Sequence, residues 1–300
     1  MRCTRILATL ALLAFCGCSR SATPAAPTSA PIPMPAPPIG TVAGVYRGFD
    51  RNDYPGDDAM TALHNTFAFT GYWLTNPPGE TANTWQGKRE FLRQHGWGFL
   101  VLANGRLDAE ILKSLKHGTT PADLARSDAA LALAAARSEG FPPHTILFLD
   151  QEEGGRLLDE QSAYLLAWTE AVAASDYRPG VYASGQPVPD GPGNTITTID
   201  DIREQVKAKH LHEIAFFDAQ DACPPAPGCT LAAKPLATSG ELDLTAWQYA
   251  QSPRRPEITS SCKATYATSN GSAVNCYAPG LPTLFLDMDA ASSADPSHGR

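Results

Sequence analysis

Two carboxylates stand one residue apart in Asp150-Gln151-Glu152, at the end of the apolar run Thr145–Glu152. Side chains alternate along an extended strand, so Asp150 and Glu152 point to the same side. Asp287-Met288-Asp289 repeats that spacing at the end of the run Thr283–Asp289, and Asp50 ends the run Gly44–Asp50. Carboxyl groups packed together raise the pKa of at least one member, which keeps an acid available near neutral pH. Glycoside hydrolysis needs such an acid to protonate the leaving oxygen. It also needs a second carboxylate, or a substrate acetamide, to stabilise the developing cation. Glu152 is the candidate acid, with Asp150 and Asp50 as its electrostatic partners, and Glu153 adds a further acid beside them. Tyr72, Tyr182, Gln220, Trp247 and Gln248 sit on or near other strand ends and, with Asp287 and Asp289, are the candidate sugar-binding residues. Each has a blander reading. An Asp at a strand end often caps the next helix, and Asp50 and Asp289 suit that role. The rings at 72, 182 and 247 suit core packing equally well.

Such residues work only if one fold brings the strand ends together. Eight runs rich in aliphatic and aromatic residues read as strands: Gly44–Asp50, Phe69–Thr75, Gly98–Asn104, Thr145–Glu152, Pro179–Gly185, Glu213–Gln220, Leu244–Gln251 and Thr283–Asp289. Most are continuously apolar, as buried parallel strands are. Helical patterns fall at Asp57–Asn65, Thr84–His95, Pro121–Glu139, Asp159–Ala174 and Thr198–Lys209. Strand and helix thus alternate through the first five strands, which implies βαβ units and a parallel sheet. Residues 221–243 and 252–282 break the pattern with Pro, Gly and Ser, so loops join the last three strands. The expected fold is an α/β, TIM-like barrel with an irregular (β/α)5(β)3 arrangement. The alternative, a doubly wound open sheet, lacks a GxGxxG or P-loop after any strand, and no cofactor is expected.

The chain divides unevenly. Arg2 and Arg5 precede an apolar run over 6–15 and then Cys16-Gly17-Cys18. Residues 1–18 read as a signal peptide of the lipoprotein type, with Cys18 as the lipidated residue. Seven of the 26 prolines fall in residues 21–40, so 19–40 reads as a semi-rigid linker and 41–300 as the barrel. This predicts an exported protein, either anchored in the bacterial envelope through an N-terminal lipid or secreted. Net charge is −8, and no acid precedes residue 41. An acidic body argues against nucleic acid as a partner. A monomer is expected. The body cysteines, Cys223, Cys229, Cys262 and Cys276, suit disulfides in an exported protein, with Cys223–Cys229 and Cys262–Cys276 the simplest of three connectivities. Their spacing suits no metal, and His210-x-His212 has no Cys or acid trio beside it, so no metal site is expected.

The set Gly48-Phe49-Asp50…Asp53-Tyr54-Pro55, Phe148-Leu149-Asp150-Gln151-Glu152, Ala246-Trp247-Gln248-Tyr249 and Phe285-Leu286-Asp287-Met288-Asp289 resembles a bacterial secreted family in motif order and spacing. That is a glycoside-hydrolase-like TIM-barrel domain family of unknown function, similar in turn to the family 25 lysozymes that cleave peptidoglycan. The resemblance covers about residues 44–290. It implies five βα units followed by three strands. It implies that Glu152 is the general acid, paired with Asp150, and that Asp50 is the first-strand carboxylate. Asp287 corresponds to the last-strand acid, with Asp289 as the alternative. The implied substrate is an amino-sugar polymer such as peptidoglycan. A non-catalytic barrel that binds cell-wall glycan, or another envelope component, is the other reading.

Overall fold

The apolar runs form the strands of a closed barrel, and the amphipathic segments pack outside it. The computed structural model describes residues 44–220, 234–250, 284 and 286–300. Its elements, in chain order, are β1 (Tyr46–Asp50), α1 (Asp57–Leu63), β2 (Phe69–Trp73), α2 (Arg89–Gln94), β3 (Gly98–Asn104), α3 (Asp108–Leu115), α4 (Pro121–Ser138), β4 (Ile146–Asp150), α5 (Asp159–Ala173), β5 (Arg178–Ser184), β6 (Val188–Pro189), β7 (Thr195–Ile196), α6 (Thr198–Lys209), β8 (Ala215–Ala219), β9 (Leu244–Ala250) and β10 (Asp287–Ala291). The barrel order is β1-β2-β3-β4-β5-β8-β9-β10, with β10 closing back onto β1. This is the eight-stranded TIM-like barrel expected from the sequence. The signal, Cys18, the linker and the four body cysteines lie outside the described residues.

Local chemistry explains the helix starts. Pro121 opens α4, where its missing N–H costs nothing, and Thr120 accepts a hydrogen bond from Asp123 N–H at 3.1 Å. Thr197 caps α6 in the same way, accepting from Asp200 N–H at 3.0 Å. α3 was not expected from the sequence. Its apolar residues Ile111, Leu112 and Leu115 share a helical face, so the signal was present in the sequence, although Ile111 is the one residue of the eight that is buried.

The last strand corrects one expectation. β10 runs antiparallel to both β1 and β9, while the other neighbouring pairs around the barrel are parallel. It begins at Asp287, where the sequence pattern had a strand ending. Asp287 pairs with Asp50, so it still reaches the mouth of the barrel, from the start of its strand and not from the end.

The floor of the barrel is sealed by residues 294–300. Ser297 bridges β3 and β4: its carbonyl accepts from Ile146 N–H, its N–H donates to the Phe99 carbonyl, and its Oγ accepts from Val101 N–H, each at 2.9 Å. Buried Arg89 stacks 4.6 Å from the Phe141 ring centroid and donates to the Gly299 carbonyl at 2.6 Å. Gly98 makes room for this tail, since a Cβ there would lie 1.8 Å from the Ala294 carbonyl oxygen. Gly98→Ala must therefore push the tail off the barrel floor. A loss of about 2–3 kcal/mol is expected, read as a lower urea midpoint at unchanged slope. An unchanged midpoint would remove the tail from the stabilising contacts.

Candidate active site

Alternation along each strand decides what the barrel mouth contains. Asp50, Trp73, Leu102, Asp150, Tyr182, Phe217, Gln248 and Asp287 come from eight different strands and line one cleft with Glu152, Asn52 and Pro78. The cleft is open to solvent, and its empty space, with the solvent at its mouth included, is about 420 Å³. Gly71, one inward step below Trp73, leaves space for Asp50, because a Cβ there would lie 2.6 Å from the Asp50 Cβ.

The polar side chains form a directed network. The Tyr182 hydroxyl donates to Gln248 Oε1 at 2.9 Å, and Gln248 Nε2 donates to Asp50 Oδ2 at 2.7 Å. The Tyr182 contact therefore turns the amide of Gln248 so that its N–H faces the Asp50 carboxylate. Asp289, directly opposite Gly48 on β1, lies one inward step below Asp287, fully buried, and burial followed by the Asp50 and Asp287 charges raises its pKa well above the ordinary carboxyl value. Tyr182 is itself held neutral: burial, and then the Asp150 and Asp50 charges, push its pKa well above the usual value.

Asp150 differs from Glu152 in environment. Asp150 is buried, while Glu152 is exposed at the rim. Burial raises the Asp150 pKa well above the ordinary carboxyl value, and the nearby Glu152 and Asp50 charges raise it further. Its Oδ1 is buried with no hydrogen-bond partner among the described residues. A buried carboxyl with one unpartnered oxygen thus forms part of the cleft wall, beneath an accessible one.

The loop that carries Glu152 is anchored on both sides. Glu153 turns away from the cleft, accepting from Asp108 N–H at 2.7 Å and from Gln161 Nε2 at 2.5 Å. Buried Asp201 on α6 accepts from Leu157 N–H at 2.9 Å and from Arg156 at 2.6 Å. These two acids hold residues 151–158 from α3, α5 and α6. Neither role was visible in the sequence, since the partners lie 45 and 44 residues away.

Of the residues singled out from sequence, Asp50, Asp150, Glu152, Tyr182, Gln248 and Asp287 meet at the cleft. Asp289 lies just beneath it. Three others do not reach it. Tyr72 points outward into the layer between sheet and helices, where it packs against Trp85, Phe99 and Phe141 and donates to Glu139 at 2.6 Å. Trp73, the next residue, takes the inward position. Its indole donates to the Arg51 carbonyl at 3.1 Å, which ties the ring to the loop after Asp50. Trp247 also points outward, fully buried, with its indole donating to the Gln220 carbonyl at 2.9 Å. The Gln220 side chain donates to the Gly185 carbonyl and not into the cleft. Asn52, Trp73, Pro78, Leu102 and Phe217 are the lining residues that the sequence reading left out. Parity offered a signal for Trp73, which shares its face with Gly71 opposite Asp50. Among the described residues, no group of three or more His, Cys, Asp or Glu side chains is arranged to hold a metal ion.

The sequence pattern of the Rv2525c-like, glycoside hydrolase-like domain matches residues 64–223, more than half of the chain. No curated protein matches the chain. Among solved structures, an uncharacterized protein of B. stearothermophilus is similar in fold, with 17% identity and a TM-score of 0.51, covering 82% of this chain and 95% of that one. The spore cortex lytic enzyme SleM of Clostridium perfringens has 12% identity and a TM-score of 0.50, covering 84% of this chain and 69% of that one. The Tat-secreted protein Rv2525c of Mycobacterium tuberculosis, in complex with L-tartrate, has 12% identity and a TM-score of 0.46, covering 82% and 94%.

Proposed function

The chain belongs to the Rv2525c-like, glycoside hydrolase-like domain family, and we propose that it hydrolyses an amino-sugar polymer of the cell envelope, peptidoglycan being the foremost candidate. The observation that carries this reading is the meeting of four carboxyl groups, Asp50, Asp150, Glu152 and Asp287, in one cleft that also presents Trp73 and Tyr182. Glu152, exposed at the rim, is the acid that reaches the leaving oxygen. Asp50 is the carboxylate that faces the developing positive charge. The Gln248 amide that donates to it helps to fix it in place before substrate arrives. Asp150, with its pKa raised by burial and a buried oxygen that has no partner among the described residues, is suited to a substrate hydroxyl or acetamide. Trp73 and Tyr182 offer ring faces to a sugar.

The N-terminal residues fit the same setting. A basic start, an apolar run and Cys18 support export and lipid anchoring, and the proline-rich stretch supports a spacer between membrane and barrel. The cysteines from Cys223 to Cys276 support disulfides in that oxidising location. The test is to incubate the full chain with purified peptidoglycan and measure new reducing ends. Release supports the hydrolase. Saturable sedimentation with the polymer but no release would assign the chain to glycan capture instead.

A further inference from the structure

A second groove opens beside the cleft. Its walls are the ends of β2 and β3, the loop after β3 and one face of α4, and its empty space, solvent included, is about 1080 Å³. Trp73 and Leu102 line the cleft, while the residues that follow them, Thr75 and Asn104, line the groove. Strand residues rise about 3.3 Å each, so the two sites lie within about 7 Å of each other along both strands. Arg106 stands in the groove with its orientation fixed. Its Nε donates to Asp128 Oδ2 at 2.7 Å and its Nη2 to Asp128 Oδ1 at 2.9 Å, and the buried Tyr164 hydroxyl donates to the same carboxylate at 2.9 Å. That fork leaves Nη1 with no hydrogen bond among the described residues. The side-chain amides of Asn76 and Asn104 also make none there. Glu110 uses Oε2 alone, which accepts from Leu107 N–H at 3.0 Å.

These groups select a ligand by its chemistry. The charged residues among the described lining are Arg106, Asp128 and Glu110, so the groove is net negative and does not favour a free carboxylate or phosphate. Arg106 Nη1 donates, Glu110 Oε1 accepts and the two amides do both, which matches the alternating C=O and N–H groups of a peptide. Exposed Leu131 adds an apolar surface for a side chain. None of the described residues lining the groove is aromatic, so it lacks the ring faces that Trp73 and Tyr182 bring to the cleft. Peptidoglycan is a glycan that carries short peptides. We propose that this groove binds the peptide branch of the polymer held in the cleft, with Arg106 Nη1 donating to a peptide carbonyl oxygen and Asn76 and Asn104 pairing with peptide amides. The link to glycan cleavage rests on the hydrolase reading above, while peptide binding does not.

Two measurements separate them. The first is calorimetric titration of the full chain with the soluble stem peptide freed from peptidoglycan by an amidase. Saturable binding is expected, with Kd raised about tenfold in Arg106→Met and about threefold in Asn76→Ala. Asn76→Ala removes no side-chain hydrogen bond made among the described residues, so it tests the groove without breaking the Arg106–Asp128 pair. A wild type that does not bind the peptide, or equal affinities in all three proteins, overturns the proposal. The second measurement compares reducing-end release from intact peptidoglycan with release from glycan stripped of its peptides. The wild type is expected to show the lower KM on the intact polymer, and Arg106→Met to shrink that preference about tenfold. A preference that survives undiminished in Arg106→Met overturns the part of the groove in substrate recognition. A wild type that cleaves neither polymer sinks the hydrolase reading alone, and the titration still decides whether the groove takes a peptide.

Discussion

Glu152→Gln is expected to lower reducing-end release by about 10²–10⁴-fold, the usual contribution of a general acid. The expectation follows from position. Asp150 is buried within the cleft, and Glu153 is committed to Asp108 and Gln161. Glu152 is the carboxyl of this loop that stands exposed at the cleft. Glutamine keeps the shape and loses the proton. Exposed polar substitutions of this kind usually change stability by less than about 0.5 kcal/mol, so the thermal unfolding midpoint should hold. Both quantities must be measured on one preparation. A mutant that keeps wild-type release would move the acid elsewhere in the cleft, with Asp150 the first candidate.

Asp218→Asn should change the pH dependence of stability by a comparable free energy. Asp218 points outward from β8, fully buried, with its pKa raised to about 7. Burial is the main cause, and the neighbouring Glu241 charge adds to it. The Ser239 hydroxyl and the Gly185 amide oppose the shift, but they approach without completing hydrogen-bond geometry. The folded pKa therefore lies above the unfolded value of about 3.9. The contribution of the protonated group is fully present below about pH 4 and is lost as pH rises through about 7. A shift of about three units corresponds to about 4 kcal/mol. Asparagine is neutral at every pH and can donate toward Glu241. At about pH 8 the variant should exceed the wild type by up to about 4 kcal/mol, and at about pH 4 the two should converge. Urea midpoints across that range supply the comparison. Parallel curves for the two proteins would mean that Asp218 titrates normally. Asp150 and Asp289 titrate in both proteins, so their contributions cancel in the difference.

The barrel was legible in the sequence because continuous apolar runs and amphipathic segments alternate in a fixed order. The ends of those runs carry Asp50, Asp150, Glu152 and Asp287, which made these four acids legible as well. What stayed hidden has physical causes. A period of two reads the same in either direction, so the pattern around Asp287 could not reveal an antiparallel strand. Tyr72 and Trp73 are adjacent and both aromatic, and only the pairing of β2 with β1 decides which one enters the mouth. Trp247 and Gln248 pose the same choice, and there the amide faces inward. Glu153 and Asp201 look like surface acids until the fold brings them to backbone amides far along the chain.

The closing strand has a consequence for the order of events in the life of the chain. β1 finds a neighbour in β10, pairing Gly48 with Asp289, and Ser297 staples β3 to β4 from below. Contacts between such distant parts of a chain form slowly, because loop-closure entropy is spent before they repay it. While the polypeptide emerges from the ribosome, the earlier strands have no ring to complete, and β1 lacks one of its two neighbours. Closure must await residues 287–300. Until they appear the ring stays open, which is also the state most exposed to aggregation. A topology that joins β1 to β10 thereby delays closure of the barrel until residues 287–300 have been synthesised.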